Sequence, residues 1–275
     1  PGHTVLQRDL LERADWFFQR PNGVHVIVSN QCNLKCAHCP YHSPKYRAGH
    51  TSGYFNETVT MSTAVFEKIA HYAAKNNVAL QFGQIEEAMT HERLIDFIRY
   101  AKNIGVPRVH LTTNGTLLDE RQADRLAESG VDSVMFSIDS VTPETYKKIR
   151  GASLEKLERN IEYFARKARR KRINLMASFI LQEPALQERD IFIKKWRDRG
   201  FNQVTFYVLT EHDPRTGAPL RGQELYDKGG RYPCASPWTQ MVVFPGGEIS
   251  LCCKTMTDVG WRGVVSVGKI PDEEP

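Results

Sequence analysis

Apolar runs and helical periodicities alternate along most of this chain. VHVIVSN (Val24 to Asn30) is a continuous apolar run, as expected of a buried strand. From Ser62 to Ala74, Val65, Phe66, Ile69 and Tyr72 fall at helical spacing. VALQFG (Val78 to Gly83) reads as a strand closed by glycine. Leu94, Phe97, Ile98 and Ala101 then mark one face of a helix over Glu92 to Asn103. The exchange repeats. Strands are expected at Arg108 to Gly115, Val131 to Asp139, Ile173 to Leu181 and Val204 to Leu209. Helices fall between them at Asp119 to Ser129, Thr142 to Ile149, Ser153 to Lys171 and Glu188 to Arg199, with Ser153 placed as a cap. Such alternation predicts an α/β fold with a parallel sheet and right-handed crossovers. Periodicity alone does not decide between a barrel and an open sheet.

After Leu209 the pattern changes. Glu211 to Tyr232 is polar and rich in Gly, Pro and Arg, as in a linker or mobile loop. WTQMVVFPGGEISLCC then predicts a hairpin turning at Pro245, Gly246 and Gly247. The expected division is a main unit over residues 1–210 and a small β appendage over 211–275. With 275 residues, 41% hydrophobic and 25% charged, the chain can bury a core without disulfide staples. A net charge of +5 is mild and does not by itself argue for nucleic acid. The run RKARRKR (Arg166 to Arg172) closes an expected helix, has no interleaved aromatics, and reads as a solvated helix end. No apolar run is long enough to span a membrane, and the first residues lack a signal peptide's apolar core. The six cysteines crowd into two places, which points to metal in a reducing, cytoplasmic setting rather than to a disulfide framework.

Cys32, Cys36 and Cys39 lie within eight residues, CNLKCAHC, on the loop leaving the first strand. In a parallel α/β sheet that is where ligands gather. Zinc would need a fourth ligand, which His38 or His42 could supply. An iron–sulfur cube fits the spacing better. Three thiolates on one loop can reach three irons of a [4Fe–4S] cluster and leave the fourth iron open to a small molecule.

C-x-x-x-C-x-x-C after the first strand of a strand–helix repeat resembles the radical S-adenosylmethionine (SAM) superfamily, over about Gly23 to Leu209. The resemblance implies a partial (β/α)6 TIM-like barrel. It implies that the open iron binds the amino and carboxylate groups of S-adenosylmethionine. Reductive cleavage then gives a 5′-deoxyadenosyl radical, which removes a hydrogen atom from an unactivated carbon. A flavodoxin- or ferredoxin-type protein would supply the electron. The stretch FGQIEEAMTHERL stands where the family has a Gly-Gly-Glu-Pro-like segment that holds the methionine amino group. Gly83, Gln84, Glu86 and His91 are its counterparts here, with Gln84 and Ile85 where glycines often stand and Glu87 in place of proline. TTNG implicates Asn114, and FSIDS implicates Ser137 and Asp139, facing the cofactor's ribose or the substrate. IRG offers Arg150 to a carboxylate. His38 stands where the family often has an aromatic near the adenine.

The stretch CASPWTQMVVFPGGEISLCC resembles the first half of a SPASM or twitch appendage, which holds an auxiliary iron–sulfur cluster. Cys234 and Cys252 match its first two ligand positions. The family places further cysteines downstream, and none follows Cys253 before Pro275. That leaves truncation, an incomplete cluster, or a ligand from the substrate or Cys253 as alternatives. Cys253 points to the opposite face from Cys252 if both lie on a strand. It is a candidate hydrogen-atom donor, or an ordinary buried thiol.

The expected activity is dehydrogenation or epimerisation of a small polar natural-product substrate, such as a sugar, cyclitol or aminoglycoside. The lack of an extra leader-gripping N-terminal domain favours it. The second expectation is modification of a peptide or protein side chain. The alternative from another class is a non-catalytic zinc or iron–sulfur module. No nucleic-acid or membrane partner is expected. The long polar stretch Tyr41 to Thr60 is a candidate lid or substrate wall.

Overall fold

The structure, a computed structural model, describes residues 21–47, 54–209, 211–212, 219–221, 236–251 and 266–271. Six strands run in parallel in chain order: β1 (Gly23–Val26), β2 (Ala79–Phe82), β3 (Val109–Thr113), β4 (Ser133–Ser137), β5 (Asn174–Leu181) and β6 (Gln203–Val208). The helices of two turns or more between them are α1 (Thr63–Asn76), α2 (Leu94–Asn103), α3 (Glu120–Ala127), α4 (Pro143–Arg150), α5 (Leu154–Lys171) and α6 (Arg189–Asp198). This is the α/β alternation the sequence predicts, an unclosed sheet consistent with a partial TIM-like barrel. Side-chain caps explain several starts. Ser62 accepts the amide of Val65, Asp119 that of Gln122, and Ser153 that of Lys156.

Three details depart from the sequence reading. β1 is shorter than the apolar run, because beyond it the backbone turns to the segment before α1: Val28 O accepts from Met61 N, Ser29 bridges Thr60, and Asn30 N donates to Val59 O. Glu211 to Tyr232 is not all loop, since β7 (Glu211–His212) pairs antiparallel with β8 (Pro219–Arg221). The expected hairpin exists as β9 (Gln240–Val243) and β10 (Glu248–Ser250), but it is not a free-standing unit. β9 runs parallel to β1 and extends the sheet, while β10 and β11 (Gly268–Lys269) continue it antiparallel. Pairing with β9 satisfies backbone groups that β1 would otherwise expose at an edge.

One face of the sheet carries Val24, Val26, Leu80, Phe82, Val109, Leu111, Val134 and Phe136, and all six helices pack their buried apolar side chains there. Phe66 stacks on Phe97 with ring centroids 4.2 Å apart, and Trp196 packs edge-on to Phe201. Tyr72, expected on the apolar side of α1, is exposed at its rim. A smaller cluster of Ile27, Phe55, Ile85, Val242 and Phe244 lies apart from this core. It ties the Tyr54–Phe55 segment and the β9 end to the loop after β2. In the basic run at the end of α5, Lys167 pairs with Asp124 and Lys171 with Glu128, both exposed ion pairs, as expected of a solvated helix end. Among the described residues no helix is long and apolar enough to cross a membrane.

Candidate active site

The cysteine loop leaves β1 and is pinned from several sides. Ala37 N donates to Ile149 O at 2.8 Å, and Cys39 N to Cys36 O at 3.0 Å. Asn33, inside the cysteine run, donates to Thr116 Oγ1 at 2.8 Å and accepts from Asn114 Nδ2 at 2.9 Å. The loop is thereby tied to the ends of β3 and α4. Cys36 is buried and Cys32 and Cys39 are partly so. Burial pushes the Cys32 thiol up to about 12 and raises that of Cys39 as well. Thiolates at Cys32 and Cys39 would therefore need positive charge beside them to exist here.

The end of β2 requires glycine. Gly83 has φ +83°, and a Cβ there would lie 1.9 Å from Thr112 O. Beyond it, two carboxylates are buried. Glu86 Oε2 accepts the Ile85 amide at 3.0 Å, while Oε1 has no well-formed partner, although the Val28 and Glu86 amides are near the carboxylate. Burial first, then the adjacent charge of Glu87, pushes the Glu86 carboxyl up to about 7. Glu87, standing where the family resemblance expects proline, is a clasp between strand ends. Its Oε1 accepts from Thr113 Oγ1 at 2.7 Å and its Oε2 from the Asn114 amide at 2.6 Å. Burial raises its carboxyl too, and these hydrogen bonds oppose the shift.

The end of β4 and the end of α4 carry a buried ion pair. Arg150 Nη2 lies 2.5 Å from Asp139 Oδ2, and Arg150 Nη1 donates to Cys36 Sγ at 3.5 Å. Burial alone would lower the Arg150 pKa, but Asp139 and Cys36 reverse that and raise it. Asp139 takes the left-handed backbone region (φ +69°) and accepts the Ile180 amide at 2.8 Å. His38 Nε2 lies 3.8 Å from Asp139 Oδ2, and its Nδ1 lies 3.2 Å from Gln182 Nε2. Burial, assisted by the charge of Arg150, lowers His38 to about 4, so its ring is neutral near pH 7.

A cleft of about 230 Å³ gathers most of these groups. Its lining includes the three cysteines, His38, Tyr41, Gly83, Gln84, Glu86, Asn114, Ser137 and Arg150. Asp139 is not in the lining. It is fully buried behind the cleft and holds Arg150, so the geometry does not present it to a ribose. His91 is also elsewhere: its Nε2 bonds Met61 O and its Nδ1 accepts the Arg93 amide. Tyr41, from the candidate lid, forms part of the wall. Cys234, Cys252 and Cys253 lie outside the described residues. Asn33, the Glu87 clasp and Gln182 were missed as site residues. Only Asn33 carried a signal, its position within the cysteine run.

The residues present fit an iron–sulfur cube better than a single ion. Among the described residues, no three His, Cys, Asp or Glu side chains converge tightly enough to hold one metal ion. Zinc needs that convergence. A cube does not, because each thiolate takes a different iron. Residues 26–181, more than half of the chain, match the radical SAM superfamily. The chain belongs to the radical SAM superfamily. Enzymes of this superfamily use a [4Fe–4S] cluster and S-adenosylmethionine. Among curated proteins, the chain is 31% identical over 146 residues to a probable GTP 3′,8-cyclase of Methanococcus aeolicus, covering 51% of this chain and 44% of that one. It is 30% identical over 149 residues to the GTP 3′,8-cyclase of Alkaliphilus oremlandii, covering 52% and 43%. The chain spans a little under half the length of these relatives. Among solved structures, Streptococcus suis SuiB bound to S-adenosylmethionine aligns with TM-score 0.65 at 13% identity, over 92% of this chain and 67% of that one. anSMEcpe with bound AdoMet aligns with TM-score 0.56 at 20% identity, over 83% and 74%. These two likenesses show the fold.

Proposed function

We propose that Cys32, Cys36 and Cys39 hold the [4Fe–4S] cluster and that S-adenosylmethionine occupies the cleft beside them. The chain then removes a hydrogen atom from a small polar substrate, in a dehydrogenation or epimerisation. The observation that carries this proposal is the convergence of the three cysteines, the Gly83–Glu86 segment, Asn114, Ser137 and Arg150 on one cleft at the carboxyl ends of the strands. When bound, a cluster with one open iron supplies the electron that splits S-adenosylmethionine into methionine and a 5′-deoxyadenosyl radical.

The chain's own residues bind and orient. Glu86 Oε1 is a buried acceptor without a well-formed partner, suited to an ammonium group. Glycine at position 83 lets backbone approach closely, and Gln84 stands at the rim beside it. Arg150, aimed by Asp139, offers a cation to a carboxylate, and Ser137 and Asn114 offer neutral hydrogen bonds. Neutral His38 can lie against an adenine without bringing charge. A flavodoxin- or ferredoxin-type protein is the proposed electron donor. Residues 211–275 are the proposed auxiliary-cluster appendage, with Cys234 and Cys252 as ligands and Cys253 as a candidate hydrogen-atom donor.

Two observations favour other substrates. The curated relatives are named for GTP, a purine nucleotide. SuiB, also solved with its precursor peptide, shares the fold with TM-score 0.66. The test is anaerobic reconstitution with iron and sulfide, reduction with dithionite, and assay for 5′-deoxyadenosine, with Cys32→Ala, Cys36→Ala and Cys39→Ala combined as control. Product from wild type alone supports the proposal. A loaded wild type that makes none, with S-adenosylmethionine and candidate substrates present, moves the non-catalytic iron–sulfur module ahead.

A further inference from the structure

The loop between β5 and α6, Gln182 to Glu188, grips the candidate active site at both of its ends. At the first, Gln182 Nε2 lies 3.2 Å from His38 Nδ1. At the last, Glu188 reaches the turn between β4 and α4. Its Oε2 accepts from the Val141 amide at 2.5 Å, from Ser140 Oγ at 2.7 Å and from the Thr142 amide at 3.2 Å. Its Oε1 accepts from Thr142 Oγ1 at 2.9 Å. Glu188 and Ser140 are both buried. Farther along α6, Lys195 adds a hydrogen bond to Val141 O at 3.4 Å. The loop is itself held short, since Ala185 N donates to Gln182 O and Glu188 N to Ala185 O.

This carboxylate does for α4 what the helix does not do for itself. Thr142 is the N-cap of α4, but its side chain makes no cap bond to its own helix. A helix start leaves amides unpaired and carries the positive end of the helix dipole, so an anion there is favourable. Glu188 brings that anion from the next strand–helix unit, 46 residues along the chain. Burial alone would raise its carboxyl, but the Val141 amide and the Ser140, Thr145 and Thr142 hydroxyls reverse that and hold it below its usual value. The turn it holds governs Arg150 from two directions. Asp139, the partner of Arg150, immediately precedes Ser140 and has its other oxygen on the Ile180 amide. α4 is only eight residues long and ends at Arg150, about 10 Å from its start. A shift at the clamped end of so short a rod is carried to the guanidinium. Arg150 lines the cleft, and Glu188 does not.

We propose that Glu188 is a positioning residue for S-adenosylmethionine, which by clamping the β4–α4 turn fixes the direction in which Arg150 enters the cleft. This rests on the site proposed above and adds to it a residue that lies outside the cleft. A cap with a structural role alone would change stability and leave the affinity of the folded protein as it was. A clamp that acts through Arg150 changes that affinity, and does so only while Arg150 is present.

Calorimetric titration of the anaerobically reconstituted protein with S-adenosylmethionine tests it, in wild type, Glu188→Ala, Arg150→Met and the double variant. Preparations are compared at equal iron content, and thermal melts check that each is folded. Arg150→Met is expected to weaken binding about thirtyfold, the worth of a hydrogen bond to a charged group, and Glu188→Ala about tenfold. Adding Glu188→Ala to Arg150→Met is expected to cost less than about twofold more, the non-additivity of residues that act as one. Should Glu188→Ala not fold, Ser140→Ala combined with Thr142→Val removes two hydroxyls from the same carboxylate at nearly constant volume, with about a threefold loss expected and the same cycle. The inference is overturned if the folded clamp variant binds as tightly as wild type, if Arg150→Met does not weaken binding, or if the clamp variant costs as much without Arg150 as with it. Wild type that does not bind S-adenosylmethionine at all removes the site itself. Wild type that binds, with Arg150→Met weakened and the clamp variant unchanged, removes only the role of Glu188.

Discussion

Behind the sheet, Phe66 lies flat on Phe97, and farther along the same core Phe136, Phe164, Phe192 and Trp196 are fully buried. At the carboxyl end of the same strands, Glu86, Glu87, Asp139 and Arg150 are buried too, within a few residues of three thiols. The first region lowers its free energy by hiding apolar surface. The second spends stability on desolvated charge and a carboxylate oxygen without a well-formed partner. The same strands serve both because strand side chains alternate between faces, while the strand ends release loops whose polar groups can be clasped individually. A region that buries charge without full pairing is arranged for something that arrives later.

The sharpest break in this comparison is at the cysteines. The combined Cys32→Ala, Cys36→Ala, Cys39→Ala variant is expected to lose 5′-deoxyadenosine formation and the iron bound by this loop. Its cofactor-free urea midpoint should move little, because thiols on a loop contribute little apolar core. Iron analysis and denaturation of the same preparation check this. On the other side, Phe97→Ala or Trp196→Ala should cost about 3–5 kcal/mol in urea unfolding, the usual toll of a large core deletion. If either costs under about 1 kcal/mol, the helix-side packing described here is wrong.

The buried ion pair lies between the two regions in character. Asp139→Ala leaves the Arg150 guanidinium buried without its carboxylate, at a cost of about 3–5 kcal/mol. Adding Arg150→Met should recover most of that stability while S-adenosylmethionine binding stays weak. A double-mutant cycle in urea, with binding measured alongside, would detect a pair that acts only on stability. Glu86 gives a pH signature. Its carboxyl is raised from 4.5 to about 7, so the folded protein holds that proton more tightly than the unfolded chain. Stability from this group is then complete below pH 4.5 and is lost as pH rises through 7, by about 3 kcal/mol in all. Glu86→Gln should flatten that slope in the cofactor-free protein, measured as urea midpoints at pH 5 and pH 8. The smallest effect belongs to the surface. Lys194→Ala breaks an exposed pair with Asp198 and should change stability by no more than about 0.5 kcal/mol.

The strand–helix succession was legible because each element has its own period. Helix starts were legible where a Ser or Asp cap precedes them, as at Ser153. The cysteine loop was legible because its chemistry lies in eight consecutive residues. The destination of the hairpin was not, since parallel pairing of β9 with β1 joins segments more than 200 residues apart, and nothing local to Gln240–Val243 names the partner strand. Nor was the work of Glu87. In sequence it merely stands where proline was expected, and only the approach of Thr113 and Asn114 makes it a clasp. Asp139 was legible as a strand-end acid but not as the residue that aims Arg150, because that depends on α4 returning its last turn to the end of β4.

The sequence by itself determined the alternation, the helix caps and the three clustered thiols, because periods, caps and short-range spacing are properties of neighbouring residues. Tertiary structure decided which carboxylate meets which donor and where the hairpin docks. Those facts depend on strand register, which is fixed by packing the whole helix-side core at once.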